Sequence, residues 1–221
     1  MKSNDIGGTM QNMGALLQQA QMMQKKMQEV ENKLKTIEVE GQVNNGMVKV
    51  TMNGKGEIFA FEKDERRSLH LKKRLNKLRL DKIKILENTQ AYKNYFDLVL
   101  IDVPCSGSGT WRRRPEDLLR LKKKDYNNFL KVQIEILNKA SLLCNINGLI
   151  TYITCSIFKE ENETQILNFL KKNKNFEIIN IKSTYLKSPL DIFKKEQNFL
   201  TLLPTYLNTD GYFISSIKKI A

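Results

Sequence analysis

Two stretches of the chain carry thiols where an enzyme could use them. DVPCSGSG, from Asp102 to Gly109, follows an apolar run with a carboxylate and then a thiol, Cys105. ITYITCS, from Ile150 to Ser156, ends a second apolar run in another thiol, Cys155. A single cysteine at a strand end is usually a small buried apolar residue. Two of them, projecting from strands expected to be neighbours and with Asp102 beside one of them, change that expectation and point to nucleophilic chemistry. Pro104 fixes the backbone between acid and thiol, and Ser106-Gly107-Ser108-Gly109 lets the loop turn close to a ligand. A Gly-x-Gly alone is too weak a signal to read as a phosphate cradle. Downstream, Arg112, Arg113 and Arg114, with Lys122–Lys124, could hold phosphates or form a solvated basic loop.

The elements that must position these groups fall into two unlike parts. Residues 10–37 predict a helix whose Met13, Leu16, Ala20, Met23, Met27, Val30, Leu34 and Ile37 form one apolar seam. The seam suits self-association, a homodimer through 13–37, or packing on the chain's own sheet. Asn44-Asn45-Gly46 between alternating runs predicts a hairpin, and Glu57–Phe61 a third strand. Beyond it the pattern is a basic helix over Glu65–Leu78 and strands over Lys82–Leu86 and Leu98–Val103. A helix over Tyr126–Leu143, a strand over Leu149–Thr154, a helix over Glu160–Lys171 and strands over Phe176–Lys182 and Gly211–Ile217 follow. Apolar strands alternating with helices predict an α/β domain with a mostly parallel sheet covered on both faces. Ligands of such sheets sit beyond the carboxyl ends of the strands, where Cys105 and Cys155 lie.

The net charge of +13 is concentrated in residues 58–221, which carry +12, whereas residues 1–57 carry +1. That excess favours a polyanionic partner, nucleic acid first. Cys105, Cys144 and Cys155 have neither zinc-ligand spacing nor an even count, which argues against a metal centre and against a disulfide framework. No signal peptide and no long apolar run is present, so a cytoplasmic protein is expected.

GALLQQAQMMQKKMQEVENKLKTIEVEGQVNNGMVKVTMNGKGE resembles the amino-terminal half of the YbaB/EbfC nucleoid-associated proteins, which are small dimeric DNA-binding proteins. From about Gly56 onward, DVPCSGSGTWRRRPE, ITYITCSIFKEENE and LLPTYLNTDGYFISSIKK resemble, in order, three motifs of the Sun/RsmB-type RNA (cytosine-C5) methyltransferases. That resemblance implies S-adenosylmethionine as cofactor and RNA, rRNA first, as substrate. It implies Cys155 as nucleophile, Cys105 in release of the enzyme, and Asp102 against both the cytosine ring and the methyl-donor site, where an acid near nitrogen 3 suits the chemistry if burial raises its pKa. It further implies Glu62 on the cofactor ribose and Asn88 near the adenine, where an acid is the usual residue.

The family's first strand and its Gly-rich cofactor loop have no counterpart, since none of the eleven glycines lies between a strand and a helix in that manner. The expected fold is therefore an incomplete Rossmann-like class I methyltransferase sheet preceded by a long helix and a β-hairpin. The expected domains are 1–57 and 58–221, fused where NGKGEIFAFEKDERR serves both patterns. Two functions follow: a cysteine-dependent RNA methyltransferase, or a catalytically dead basic DNA- or RNA-binding protein.

Overall fold

The structure, a computed structural model, describes residues 21–26, 28–29, 38–43, 48–53, 56–180, 198–207 and 209–221. It divides into two compact units, Met1–Ala60 with Leu69–Ile85, and Phe61–Ser68 with Leu86–Ala221.

In the first unit, β1 (Glu38–Val43) and β2 (Val48–Asn53) pair antiparallel, from Glu38 opposite Asn53 to Val43 opposite Val48. A second pair joins β3 (Ile58–Phe61) to β4 (Ile83–Leu86). Between them in sequence runs α1 (Glu65–Lys77), none of whose residues is buried. Residues 21–26 are helical, with Met22 and Met23 exposed. Most of the 13–37 seam, and the dimer expected through it, lies outside the described residues, as does Asn44-Asn45-Gly46.

The second unit is built on a five-stranded sheet of order β5-β6-β9-β7, with β8 also on β9. Its strands are β5 (Phe96–Asp102), β6 (Cys144–Thr154), β7 (Phe176–Ile179), β8 (Leu200–Leu202) and β9 (Tyr212–Lys219). Its longer helices are α3 (Lys123–Leu143) and α4 (Glu163–Lys172), and a short α2 (Glu116–Arg120) precedes them. A short α5 (Pro204–Leu207) precedes β9. Gln133, Leu137 and Ala140 recur at helical spacing and turn one face of α3 inward. Ile166 and Phe169 do the same for α4. With Ile150, Tyr152, Phe213 and Ile217 from the central strands they form the core.

The sheet is mixed, not mostly parallel. β5 and β6 are parallel, while β9 runs antiparallel to β6, β7 and β8. The connection from β8 to β9 is too short for the crossover that a parallel pair needs. Nor is β5 covered on both faces: Leu98 and Leu100 are 57% and 61% exposed. Helix boundaries differ too. α3 begins at Lys123, ahead of Tyr126, and α4 begins at Glu163, after Glu160. Among the described residues, no helix is long and apolar enough to cross a membrane.

Candidate active site

Strand register brings the thiols together. β5 and β6 run parallel with Asp102 opposite Ile153, and the Val103 N–H donates to the Ile153 carbonyl at 3.2 Å. The chain leaves both strands at one level, Cys105 three residues beyond Asp102 and Cys155 two beyond Ile153. Their sulfurs are 3.4 Å apart, in hydrogen-bonding contact, and both side chains are half-buried.

The two thiols do not share a proton evenly. Cys155 is lowered to about 7, first by the hydrogen bond it accepts from Cys105, against burial and the charges of Asp102 and Glu161. Cys105 is raised by the same hydrogen bond, then by burial and by the charge on Cys155. Above about pH 7 Cys155 would be the thiolate, receiving the Cys105 S–H. A group with a lowered pKa keeps its charged form down to that pKa, so alkylation of Cys155 by iodoacetamide should be fast above about pH 7 and fall below it. Removing the donor in Cys105→Ala should move that midpoint up towards the ordinary thiol value of about 8.5. Peptide mapping of the labelled protein across pH checks this, and an unmoved midpoint would contradict the assignment.

Asp102 departs from the expectation of a buried acid: its side chain is exposed. It stays within electrostatic reach of the thiols, since its charge raises Cys155. Asp102→Asn should therefore shift the Cys155 alkylation midpoint down, opposite in sign to Cys105→Ala.

A buried carboxylate that the sequence reading missed holds the two loops. Glu161 is fully buried. Its Oε1 accepts from the Ser106 N–H at 2.8 Å and from Gln133 Nε2 at 3.0 Å. Its Oε2 accepts from the hydroxyls of Ser106 at 2.6 Å and Ser156 at 2.5 Å. Ser106 follows Cys105 and Ser156 follows Cys155, so one side chain spans both thiol-bearing loops, and Gln133 ties them to α3. Gln133 also donates to the Pro104 carbonyl at 2.9 Å. Asn162 joins in, accepting from Thr154 Oγ1 at 2.6 Å and donating to the Ser156 carbonyl at 2.9 Å. In sequence these residues sit in KEENE, which reads as an exposed acidic run. The one signal was its place a few residues after a strand-end cysteine.

A third segment closes the arrangement. The Gly109 N–H donates to the Cys155 carbonyl at 2.9 Å, and the Gly211 N–H donates to the Gly109 carbonyl at 2.8 Å. A Cβ on Gly109 would collide with the Gly211 carbonyl oxygen and lie 2.7 Å from its Cα. Backbone on both sides cannot yield as a side chain would. Gly109→Ala is expected to destabilise the protein by about 3 kcal/mol, read as a lower urea midpoint at unchanged slope.

Other residues singled out from sequence are placed as follows. Glu62, half-buried after β3, accepts from the Asp64 N–H at 2.9 Å and pairs with Arg67 at 3.1 Å. Asn88 is exposed and accepts from the Gln90 N–H at 3.2 Å. Arg112 and Arg114 are exposed. Arg113 instead forms a two-pronged ion pair with Asp210, one arm from Nε to Oδ1 at 2.8 Å, pinning the arginine loop to the segment before β9.

Residues 41–218 match the family model described as 16S rRNA methyltransferase RsmB/F. Similar curated proteins include the probable ribosomal RNA small subunit methyltransferase B of Bacillus subtilis, 33% identical over 56% of this chain and 28% of that protein. The ribosomal RNA small subunit methyltransferase B of Yersinia pseudotuberculosis is 28% identical over 75% of this chain and 37% of its own. The chain thus spans well under half the length of these relatives. Among solved structures, that of PH0851 is similar over 75% of this chain and 37% of that one, with a TM-score of 0.66 and 32% identity. A methyltransferase homologue from Pyrococcus horikoshii is similar over 74% of this chain and 53% of its own, with a TM-score of 0.57 and 27% identity.

Proposed function

The chain belongs to the 16S rRNA methyltransferase RsmB/F family, and from that premise we propose that it carries the thiol chemistry of an S-adenosylmethionine-dependent RNA cytosine-C5 methyltransferase. The observation that carries this is the pair of sulfurs 3.4 Å apart, a contact that lowers the Cys155 pKa to about 7.

Carbon 5 of cytosine is a weak nucleophile. The Cys155 thiolate adds to carbon 6, and the ring becomes an enamine whose carbon 5 is electron-rich. Asp102, exposed at the end of β5, would contact the ring and, when it carries a proton, donate it to nitrogen 3 as negative charge gathers there. Cys105 begins as the hydrogen-bond donor to Cys155. Once that sulfur is bonded to carbon, the two contributions from Cys155 that hold the Cys105 thiol up are gone and only burial remains. The Cys105 thiol then gives up its proton to solvent more readily, and once carbon 5 has gained the methyl group the resulting thiolate can take the proton leaving that carbon. The electron pair returns to the ring and the Cys155–carbon 6 bond breaks. The target base must stand clear of its stack to reach both sulfurs.

Two carboxylates fit an adenosine-bearing donor. Glu62 is held by the Asp64 N–H and Arg67 just after β3, where such folds contact a ribose, and Asp102 lies open at the end of β5. Asn88, with its oxygen already accepting from Gln90, offers an amide N–H to the adenine side. When bound, S-adenosylmethionine supplies an electrophilic methyl group for carbon 5. No glycine-rich cradle exists in the sequence for its methionine end. Calorimetry with S-adenosylmethionine on the whole chain, compared with Glu62→Ala, tests this placement. Equal heats from both proteins would remove Glu62 from it.

Arg112 and Arg114, exposed on the loop after Cys105, are the cations placed to meet phosphates beside the target, and Arg113 serves them by fixing the loop to Asp210. The substrate class is RNA, ribosomal RNA first.

A further inference from the structure

An open hollow of about 370 Å³ lies in the same unit, lined by Leu121, Lys122, Lys123, Tyr126, Phe158 and Glu160. One wall is the start of α3 and the other is the loop that carries Cys155, only three residues from Phe158. Phe158 is fixed there, since its N–H donates to Ser156 Oγ at 3.0 Å. Two half-buried aromatic rings, Tyr126 and Phe158, line it, and a third, Trp111, packs behind them on Phe158. Tyr126 and Trp111 both pack edge-to-face on Phe158, with centroids 5.8 Å and 5.6 Å away. Trp111 Nε1 is buried with no hydrogen-bond partner among the described residues. Lys122 and Lys123 are exposed at the rim, and the Tyr126 hydroxyl approaches Glu160 at 3.5 Å.

Resting on the reading of the chain as an RNA methyltransferase, we propose that this hollow is a subsite for the nucleobase next to the target cytosine. The base would stack on Phe158 with its edge towards Tyr126, and with Lys122 and Lys123 on its phosphate. The chemistry of the lining favours this occupant. Half-buried rings supply apolar faces that every base can use, and cations beside them match the adjoining phosphate. Glu160 adds an acceptor for an exocyclic amino group. The whole lies on the loop that must meet the strand on either side of a flipped base. The chain's net charge of +13 suits a polyanion over an acidic or neutral small molecule of similar size.

The test uses the whole chain and a short single-stranded RNA carrying 2-aminopurine on one or other side of a central cytosine. Stacking on an aromatic ring quenches that fluorophore. Quenching by the wild type at one of the two positions is expected, with affinity falling about tenfold or more in Phe158→Leu. Phe158→Leu keeps an apolar side chain, and an unchanged thermal unfolding midpoint would show that the loss is local. Lys122→Ala combined with Lys123→Ala should make binding less steep in salt. Full quenching and wild-type affinity in Phe158→Leu would overturn the subsite. The underlying reading fails separately: 5-azacytidine RNA that forms no Cys155 adduct while quenching persists removes the chemistry and keeps the base-binding hollow.

Discussion

Cys155→Ala should abolish covalent capture of RNA containing 5-azacytidine, and Cys105→Ala should do the reverse, letting RNA-linked protein accumulate. The opposite signs come from the two positions of one proton. Cys155 is the sulfur lowered to about 7, so it attacks. Without it no carbon–sulfur bond forms, and a loss of roughly 10⁴-fold or more is the usual scale for removing a nucleophile. Cys105 holds its proton while Cys155 is a thiolate and becomes able to accept one only after Cys155 has been consumed. Its removal slows attack, because the thiolate loses its donor, and slows departure far more, because the carbon 5 proton has no base. On ordinary cytosine-containing RNA the expected result is a gel-stable protein–RNA species in Cys105→Ala, absent in Cys155→Ala and in the double variant. Exchange of the carbon 5 hydrogen with deuterated water reads the same addition without needing the methyl donor. Should Cys155→Ala retain the adduct while Cys105→Ala loses it, the two sulfurs have been assigned in the wrong order.

The features legible in the sequence are those whose cause is local. Apolar runs ending at Asp102 and Thr154 are strands because β-branched and aromatic residues fill a pleated surface, and a thiol just past each end is visible by spacing alone. That the sulfurs would meet required only that the two strands be parallel neighbours, which they are. Strand direction elsewhere was not legible, because the alternation of β9 is the same whichever way its partners run. The exposed face of β5 could not be foreseen either: Leu98 and Leu100 read as core residues, and whether anything covers them is a property of the rest of the molecule. Charge misleads in the same way. Arg113 looks like its neighbours Arg112 and Arg114 until Asp210, far along the chain, claims it. Glu161 is the strongest case, since a glutamate among glutamates, lysine and asparagine carries no mark of burial.

Removing Glu161 should cost about 10²-fold in turnover, less than removing the nucleophilic sulfur, through position instead of chemistry. In Glu161→Ala the Ser106 N–H loses its acceptor and a cavity opens where a side chain stood fully buried. The expected loss of stability is about 3 kcal/mol. The serine hydroxyls can still find each other, Ser106 to Ser156 at 3.3 Å and Ser156 to Ser108 at 3.0 Å, so the loops loosen without falling apart. Loosening is enough, because the Cys155 thiolate depends first on a single hydrogen bond from Cys105 across 3.4 Å. If that spacing widens by about 1 Å, turnover falls by roughly 10²-fold. The Cys155 alkylation midpoint then rises towards the ordinary thiol value, even though Glu161's own charge had been pushing Cys155 up. Loss of charge and loss of geometry therefore predict opposite shifts, and the midpoint separates them. Glu161→Gln is the decisive companion. Its carbonyl can keep the Ser106 N–H and Gln133, while its amide turns to the two hydroxyls, which can rotate to accept. The glutamine variant should stay within about 1 kcal/mol of wild type and keep the sulfur contact, with the Cys155 midpoint unchanged or slightly lower. A glutamine variant as damaged as the alanine one would mean that the carboxylate charge, not its hydrogen-bond geometry, holds the two loops.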